Sequence, residues 1–216
     1  MLWHSIIPAL LVVAAIPASA EFQAGGETYH RVDYKTRAQL DKQFRAAGAA
    51  YMRGDYKFAA AEFQELAKNG DHRAMYALGS MYAAGNGVPH DYTMAMTWFQ
   101  AAARYGRPDA EYKIGLLYLQ GLGVEQNSRR AINWFGKSAK KGYAQSQYYV
   151  GKMIAEGNGA TQNLVEGYAW TNMAAENGLA EAVTLLATLA QAMTPEQIEK
   201  GRQMSQKLQA QYTKQH

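Results

Sequence analysis

Five histidines stand at positions 4, 30, 72, 90 and 216. A metal site needs several imidazole, thiolate or carboxylate groups spaced so that they converge. No two of these histidines share such a spacing with each other or with a nearby carboxylate, and His72 and His90 read as solvated turn residues. Cysteine is absent, which removes disulfides, thiolate nucleophiles and Cys-based zinc sites. No serine sits in a G-x-S-x-G or comparable nucleophile setting. The Gly-rich stretch Gly121-Leu122-Gly123 has the composition of a phosphate cradle, but it recurs as a connector and follows no strand. These residue types argue against catalysis and imply no metal and no cofactor.

Recognition chemistry remains. Residues 104–152 hold nine Lys and Arg against three acids, whereas residues 153–199 hold six Glu and no Lys or Arg. That bipolarity is read as solvated faces, as a docking place for an acidic partner on the basic middle, or as head-to-tail self-association. The pI is near 9.1, yet no nucleic-acid reader motif is present, so nucleic acid is not an expected partner.

The elements that position these residues follow from an internal period of 36. Gly79, Gly115 and Gly151 form one column, and Gly85, Gly121 and Gly157 a second. Gly87, Gly123 and Gly159, then Trp98, Trp134 and Trp170, then Gly106, Gly142 and Gly178 complete the set. Each unit reads as two helices joined by a glycine turn, the second helix carrying apolar residues at i, i+3, i+4 and i+7, as in Ala95, Trp98, Phe99 and Ala102. Asp91, Asn127 and Asn163 are placed to cap the second helices, and Pro108 suits a first helical position. The mid-helix Gly79 column, costly in helix propensity, implies close helix contact.

The ends depart from the pattern. Residues 1–20 read as a signal peptide: an apolar run too short to span a bilayer, then Ala18-Ser19-Ala20 before Glu21. Residues 21–35 show no periodicity and read as a flexible lead-in. Residues 36–73 form a shortened leading repeat, followed by repeats over 74–109, 110–145 and 146–181 and by capping helices over 182–216, the last opening on Thr194-Pro195-Glu196-Gln197 as a capping box. No transmembrane span is expected in the mature chain, and export to the periplasm or beyond is.

Ala74 to Val88, Ala110 to Val124 and the A-x-x-W-F-x-x-A-A-x-x-G stretches from Ala95 and Ala131 resemble the Sel-1-like repeat family, a relative of tetratricopeptide repeats. The third unit departs, with Ile154 for Tyr, Ala160 for Val and Gly167 for Ala. The resemblance implies an all-α, right-handed superhelical solenoid that acts as a non-catalytic adaptor for protein complexes, often in bacterial envelopes. Solenoids of this kind line their concave surface with first helices. The candidate contacts there are Met75, Tyr76, Ser80, Glu111, Tyr112, Lys113, Leu116, Gln147, Tyr148, Tyr149 and Lys152. The expected partner is a protein or peptide, with an acidic one suited to the lysines. Glycan or peptidoglycan binding by the tyrosines is the alternative. β-Lactam binding or hydrolysis, described for some relatives, is a weaker one, because those relatives are cysteine-rich.

Overall fold

A computed structural model describes residues 22–24, 27–29 and 37–213. The expected signal peptide lies outside them, as do His4, His30 and His216. Ten helices follow one another: α1 (Arg37–Met52), α2 (Tyr56–Lys68), α3 (His72–Ala84), α4 (Tyr92–Arg104), α5 (Pro108–Gln120), α6 (Ser128–Lys140), α7 (Ala144–Glu156), α8 (Leu164–Glu176), α9 (Ala180–Gln191) and α10 (Pro195–Thr213). Each helix from α1 to α8 packs on its successor, which makes a solenoid of helical hairpins. Among the described residues no helix is long and apolar enough to cross a membrane.

Two short strands precede the helices, where a lead-in without regular structure was expected. β1 (Phe22–Ala24) pairs antiparallel with β2 (Glu27–Tyr29), Phe22 opposite Tyr29. The Gly25-Gly26 pair between them is the composition that two-residue hairpins favour. A search for helical period misses such a signal.

The caps form as the sequence requires. Asp91 accepts from the Thr93 and Met94 amides, Asn127 from Arg130 and Asn163 from Glu166. Thr194 and Gln197 exchange reciprocal bonds, the Thr194 amide to Gln197 Oε1 at 2.9 Å and the Gln197 amide to Thr194 Oγ1 at 3.3 Å.

The glycine columns hold the helices together in two distinct ways. Gly115 lies in mid-helix, where an added Cβ would sit 2.6 Å from Cδ1 and Cε1 of Phe135. The missing side chain is therefore the seat of the Phe135 ring, and α5 and α6 meet there. Gly123 has φ +68°, and a Cβ would come within 2.6 Å of the Tyr92 carbonyl carbon, so each turn lies on the start of the previous repeat's second helix. One column joins helices within a repeat; the other joins successive repeats.

The third repeat solves the same crossing differently. Thr171 stands where Phe99 and Phe135 stand, and it is fully buried with its hydroxyl donated to Gly167 O. With no ring between them, α7 and α8 approach through backbone: a Cβ on Gly151 would lie 2.7 Å from Gly167 O. Gly167, a departure from the repeat pattern, is the partner that makes this approach possible.

At the trailing end α10 folds back along α8 instead of pairing with α9. Tyr212 stacks on Trp170 with ring centroids 5.8 Å apart, and Asn172 donates to Ser205 at 3.1 Å. α10 meets α9 at their corner, where Ile198 joins a cluster with Leu189 and Met193.

Candidate partner-binding face

Exposure differs between the first helices and α6. In α3, α5 and α7 the side chains that are not buried are half-buried throughout, with full exposure only at the last residues. In α6, by contrast, Arg129, Arg130, Asn133, Lys137 and Lys140 are fully exposed. The first helices α3, α5 and α7 are thus more shielded than α6, as is α8, over which α10 packs.

Most of the predicted contacts are half-buried on these first helices. Tyr76, Tyr112 and Tyr148 repeat at one register, next to Lys113 and Tyr149, with Ser80, Leu116 and Lys152 one turn on; all are half-buried. Ser80 donates its hydroxyl to Tyr76 O at 3.1 Å, and Lys152 Nζ stands 4.0 Å from Glu156.

Three predicted contacts are corrected, because Met75, Glu111 and Gln147 are buried at 0%, 5% and 1% exposure. Glu111 accepts from Lys141 Nζ at 2.7 Å, and the same ammonium donates to Gly106 O at 3.0 Å. Gln147 donates to Ala139 O at 3.2 Å and accepts from Asn177 Nδ2 at 2.8 Å. Glu111 and Gln147 tie α5 and α7 to the ends of α6 and α8, 30 residues on. Their chemistry differs between repeats because each is matched to its partner, Glu to Lys and Gln to Asn.

The tyrosines pack into two aromatic groups. Tyr112 lies 5.8 Å from Phe135, 5.4 Å from Tyr143 and 5.8 Å from Tyr149, while Phe135 stacks on Tyr149 at 4.8 Å and 18°. Tyr76 rests on Phe99 at 5.6 Å. The rings are thus held by aromatic neighbours. Burial pushes the Tyr76, Tyr112 and Tyr143 hydroxyls above the ordinary tyrosine pKa, and the nearby Tyr149 and Tyr143 hydroxyls add to the effect at Tyr112. At neutral pH they are neutral donors on rigid supports.

Sequence reasoning missed a cluster at the corner between repeats. Arg107 pairs with Asp109, its Nε donating to Oδ1 at 3.0 Å, lies over the Tyr76 ring at 5.0 Å from the centroid, and stands 3.4 Å from His72 Nδ1. His72 is corrected from a solvated turn: it opens α3 and stacks on Tyr105 at 5.7 Å. Tyr105, Arg107, Asp109 and Tyr143 line an open cleft of about 400 Å³. The available signal was an N-cap column, Asp71, Arg107 and Tyr143, of which only Asp71 accepts a capping bond. Among the described residues no group of three His, Cys, Asp or Glu is placed to hold a metal ion.

The Sel1 repeat family model matches residues 72–106, 108–143 and 144–179. No curated protein matches the chain. Among solved structures, the chain is similar to a Sel1 repeat protein from Oxalobacter formigenes, with TM-score 0.62, 27% identity and coverage of 65% of this chain and 58% of that one. It is also similar to a protective antigen present in uropathogenic Escherichia coli strains that displays an SLR fold, with TM-score 0.73, 25% identity and coverage of 83% of this chain and 40% of that one. The chain thus spans less than two thirds of either relative. Its glycine columns, its capped helical hairpins and three consecutive family matches place it among the Sel1-repeat proteins.

Proposed function

We propose that the chain is an exported adaptor of the bacterial envelope, periplasmic in a double-membraned host, whose concave face recruits a protein or peptide partner in secretion, motility or envelope assembly. Sel1 repeats commonly mediate protein–protein interaction. The observation that carries the reading is the tyrosine register Tyr76, Tyr112 and Tyr148, held by aromatic packing on the shielded side of the solenoid beside Lys113 and Lys152. Rigid aromatic side chains with a polar tip form binding hot spots because little rotamer freedom is left to lose. The lysines favour an acidic partner and speed its encounter. Export is supported by the short apolar run and Ala18-Ser19-Ala20 of the N-terminus.

The test compares the tagged chain in its own host with a Lys113→Glu, Lys152→Glu variant and with a Lys137→Glu control on the outer face. After crosslinking, a discrete envelope protein retained by wild type and control and lost from the double variant supports the adaptor. Equal recovery from all three contradicts it. Retention on purified cell-wall fragments in place of a protein turns the assignment to glycan binding.

A further inference from the structure

Both ends of the solenoid leave apolar side chains exposed, although β2 contacts α2 and α10 covers α8. Five large apolar residues remain exposed among the described residues: Met52, Tyr56, Phe58, Tyr105 and Val183. The first three belong to the leading hairpin, and Val183 to the trailing helix α9. Only Tyr105 lies between, and it stacks on His72. A polar terminal face is the usual requirement for a solenoid that ends in water. These ends do not meet it.

Repeat geometry identifies what each end lacks. Met94 and Trp98 on α4 pack into the core of the preceding hairpin. Their counterparts 36 residues earlier are Phe58 and Glu62, which have no preceding hairpin; Phe58 is 50% exposed. On α1 and just after it the exposed residues include Lys42, Arg45, Ala46, Ala49 and Arg53, a small-residue stripe bordered by cations. At the other end α10 has folded back over α8, so α9 lacks the second helix that covers α3, α5 and α7. Val183 and Ala187 occupy the registers of Gln147 and Gly151, which α8 buries; here they are exposed, Val183 at 59%.

The ends also carry opposite charge. Residues 37–57 hold five Lys and Arg against two Asp, whereas the α9 side of the trailing end holds Glu176 and Glu181 with no cation, Lys200, Arg202 and Lys207 lying on α10. The acids on the α2 side are engaged at home, Glu62 accepting from Gln43 at 2.9 Å and Glu65 pairing with Lys68 at 3.1 Å. Asp41 is held by Arg73 at 2.6 Å.

We infer that the trailing face on α9 receives the leading hairpin of a second copy of this chain. Small residues on both helices permit close approach, the exposed apolar side chains fill it, and Lys42, Arg45 and Arg53 meet Glu176 and Glu181. The two surfaces differ, so the contact is heterologous and repeats from copy to copy, giving short head-to-tail chains with the tyrosine grooves in series.

Sedimentation of the purified full chain across concentrations to about 1 mM tests this. One variant, Lys42→Glu with Arg45→Glu, disables the leading end; another, Val183→Asn with Ala187→Gln, disables the trailing end. All four sites are exposed, and thermal melts establish that each variant folds as wild type does. The average mass of wild type rises from one chain to about two or more, and falls back as salt rises to about 0.5 M. Each variant alone stays at one chain, and an equimolar mixture forms one-to-one pairs. A wild-type chain that stays single at every concentration overturns the inference. So does a variant that still associates alone, the mark of a symmetric contact, or a mixture that does not pair.

Discussion

Gly115→Ala and Gly136→Ala are the same chemical change made in neighbouring helices of one repeat, and the structure assigns them opposite signs. A Cβ on Gly136 meets nothing within 4 Å, so the variant gains only the helix propensity of Ala, about 1 kcal/mol. A Cβ on Gly115 falls 2.6 Å from two carbons of Phe135 and 3.0 Å from a third, a shortfall of most of an ångström from ordinary contact. The ring cannot retreat freely, because Phe135 is fully buried and stacked on Tyr149. Overpacking of this kind costs about 1–3 kcal/mol. With two ring atoms in conflict the upper part of that range applies, and the propensity gain leaves a net loss of about 2 kcal/mol. At this chain length 1 kcal/mol shifts the melting temperature by about 2–4 °C, so Gly136→Ala melts about 2–4 °C higher and Gly115→Ala about 4–8 °C lower than wild type. Urea titration followed by circular dichroism reads both, and Phe135→Leu in the Gly115→Ala background recovers part of the loss as a coupling energy. A Gly115→Ala chain as stable as Gly136→Ala refutes the reasoning that this glycine column exists to seat the ring.

Gly151→Ala loses more than Gly115→Ala, by about 1 kcal/mol or more in the same titration, because its Cβ meets Thr171 Oγ1 and, behind it, backbone that cannot turn aside, Gly167 O at 2.7 Å and Thr171 N at 2.8 Å. Lys141→Asn alone strands the buried Glu111 carboxylate and costs about 2–4 kcal/mol, whereas Lys141→Asn with Glu111→Gln transplants the Gln147–Asn177 pair of the third repeat and returns to within about 1 kcal/mol of wild type by chemical denaturation. Alkaline titration followed by tyrosinate absorbance finds a class of tyrosines that ionises late. Because the folded pKa values of Tyr76, Tyr112 and Tyr143 are raised, the fold favours their protonated forms; that stability is complete below about pH 10, the unfolded value, and is lost as pH climbs through the folded values. A tyrosine titration that is complete near pH 10 while the chain stays folded contradicts this.

The period, the caps and the glycine turns were legible because each rests on local chemistry that recurs at a fixed spacing. Asp91 and Asn127 cap whichever helix follows them, and Thr194 and Gln197 find each other three residues apart. The column Met75, Glu111 and Gln147 misled because variation between repeats was equated with contact to an outside partner. Met75 is core, and Glu111 and Gln147 each suit a residue 30 positions on at the end of the next helix; reading that from sequence requires comparing two columns together: Glu111 beside Lys141 and Gln147 beside Asn177 were the signal. The return of α10 over α8 escaped notice for a related reason. Its Tyr212 has a partner in Trp170 only once α10 has abandoned the position that the repeat pattern assigns to it. His72 was misplaced because a histidine one residue after a capping Asp looks like turn, yet it is already the first residue of α3.

The most direct test of the central claim, that partners are recognised on the concave face, is photocrosslinking from single positions in the native host. A photoreactive residue placed at Lys113 or Lys152 samples the tyrosine groove, and one placed at Lys137 or Asn133 samples the exposed surface of α6. The account predicts a discrete protein adduct from the two groove positions and none from the outer pair. Adducts from the outer pair alone, with the groove positions silent, would contradict it.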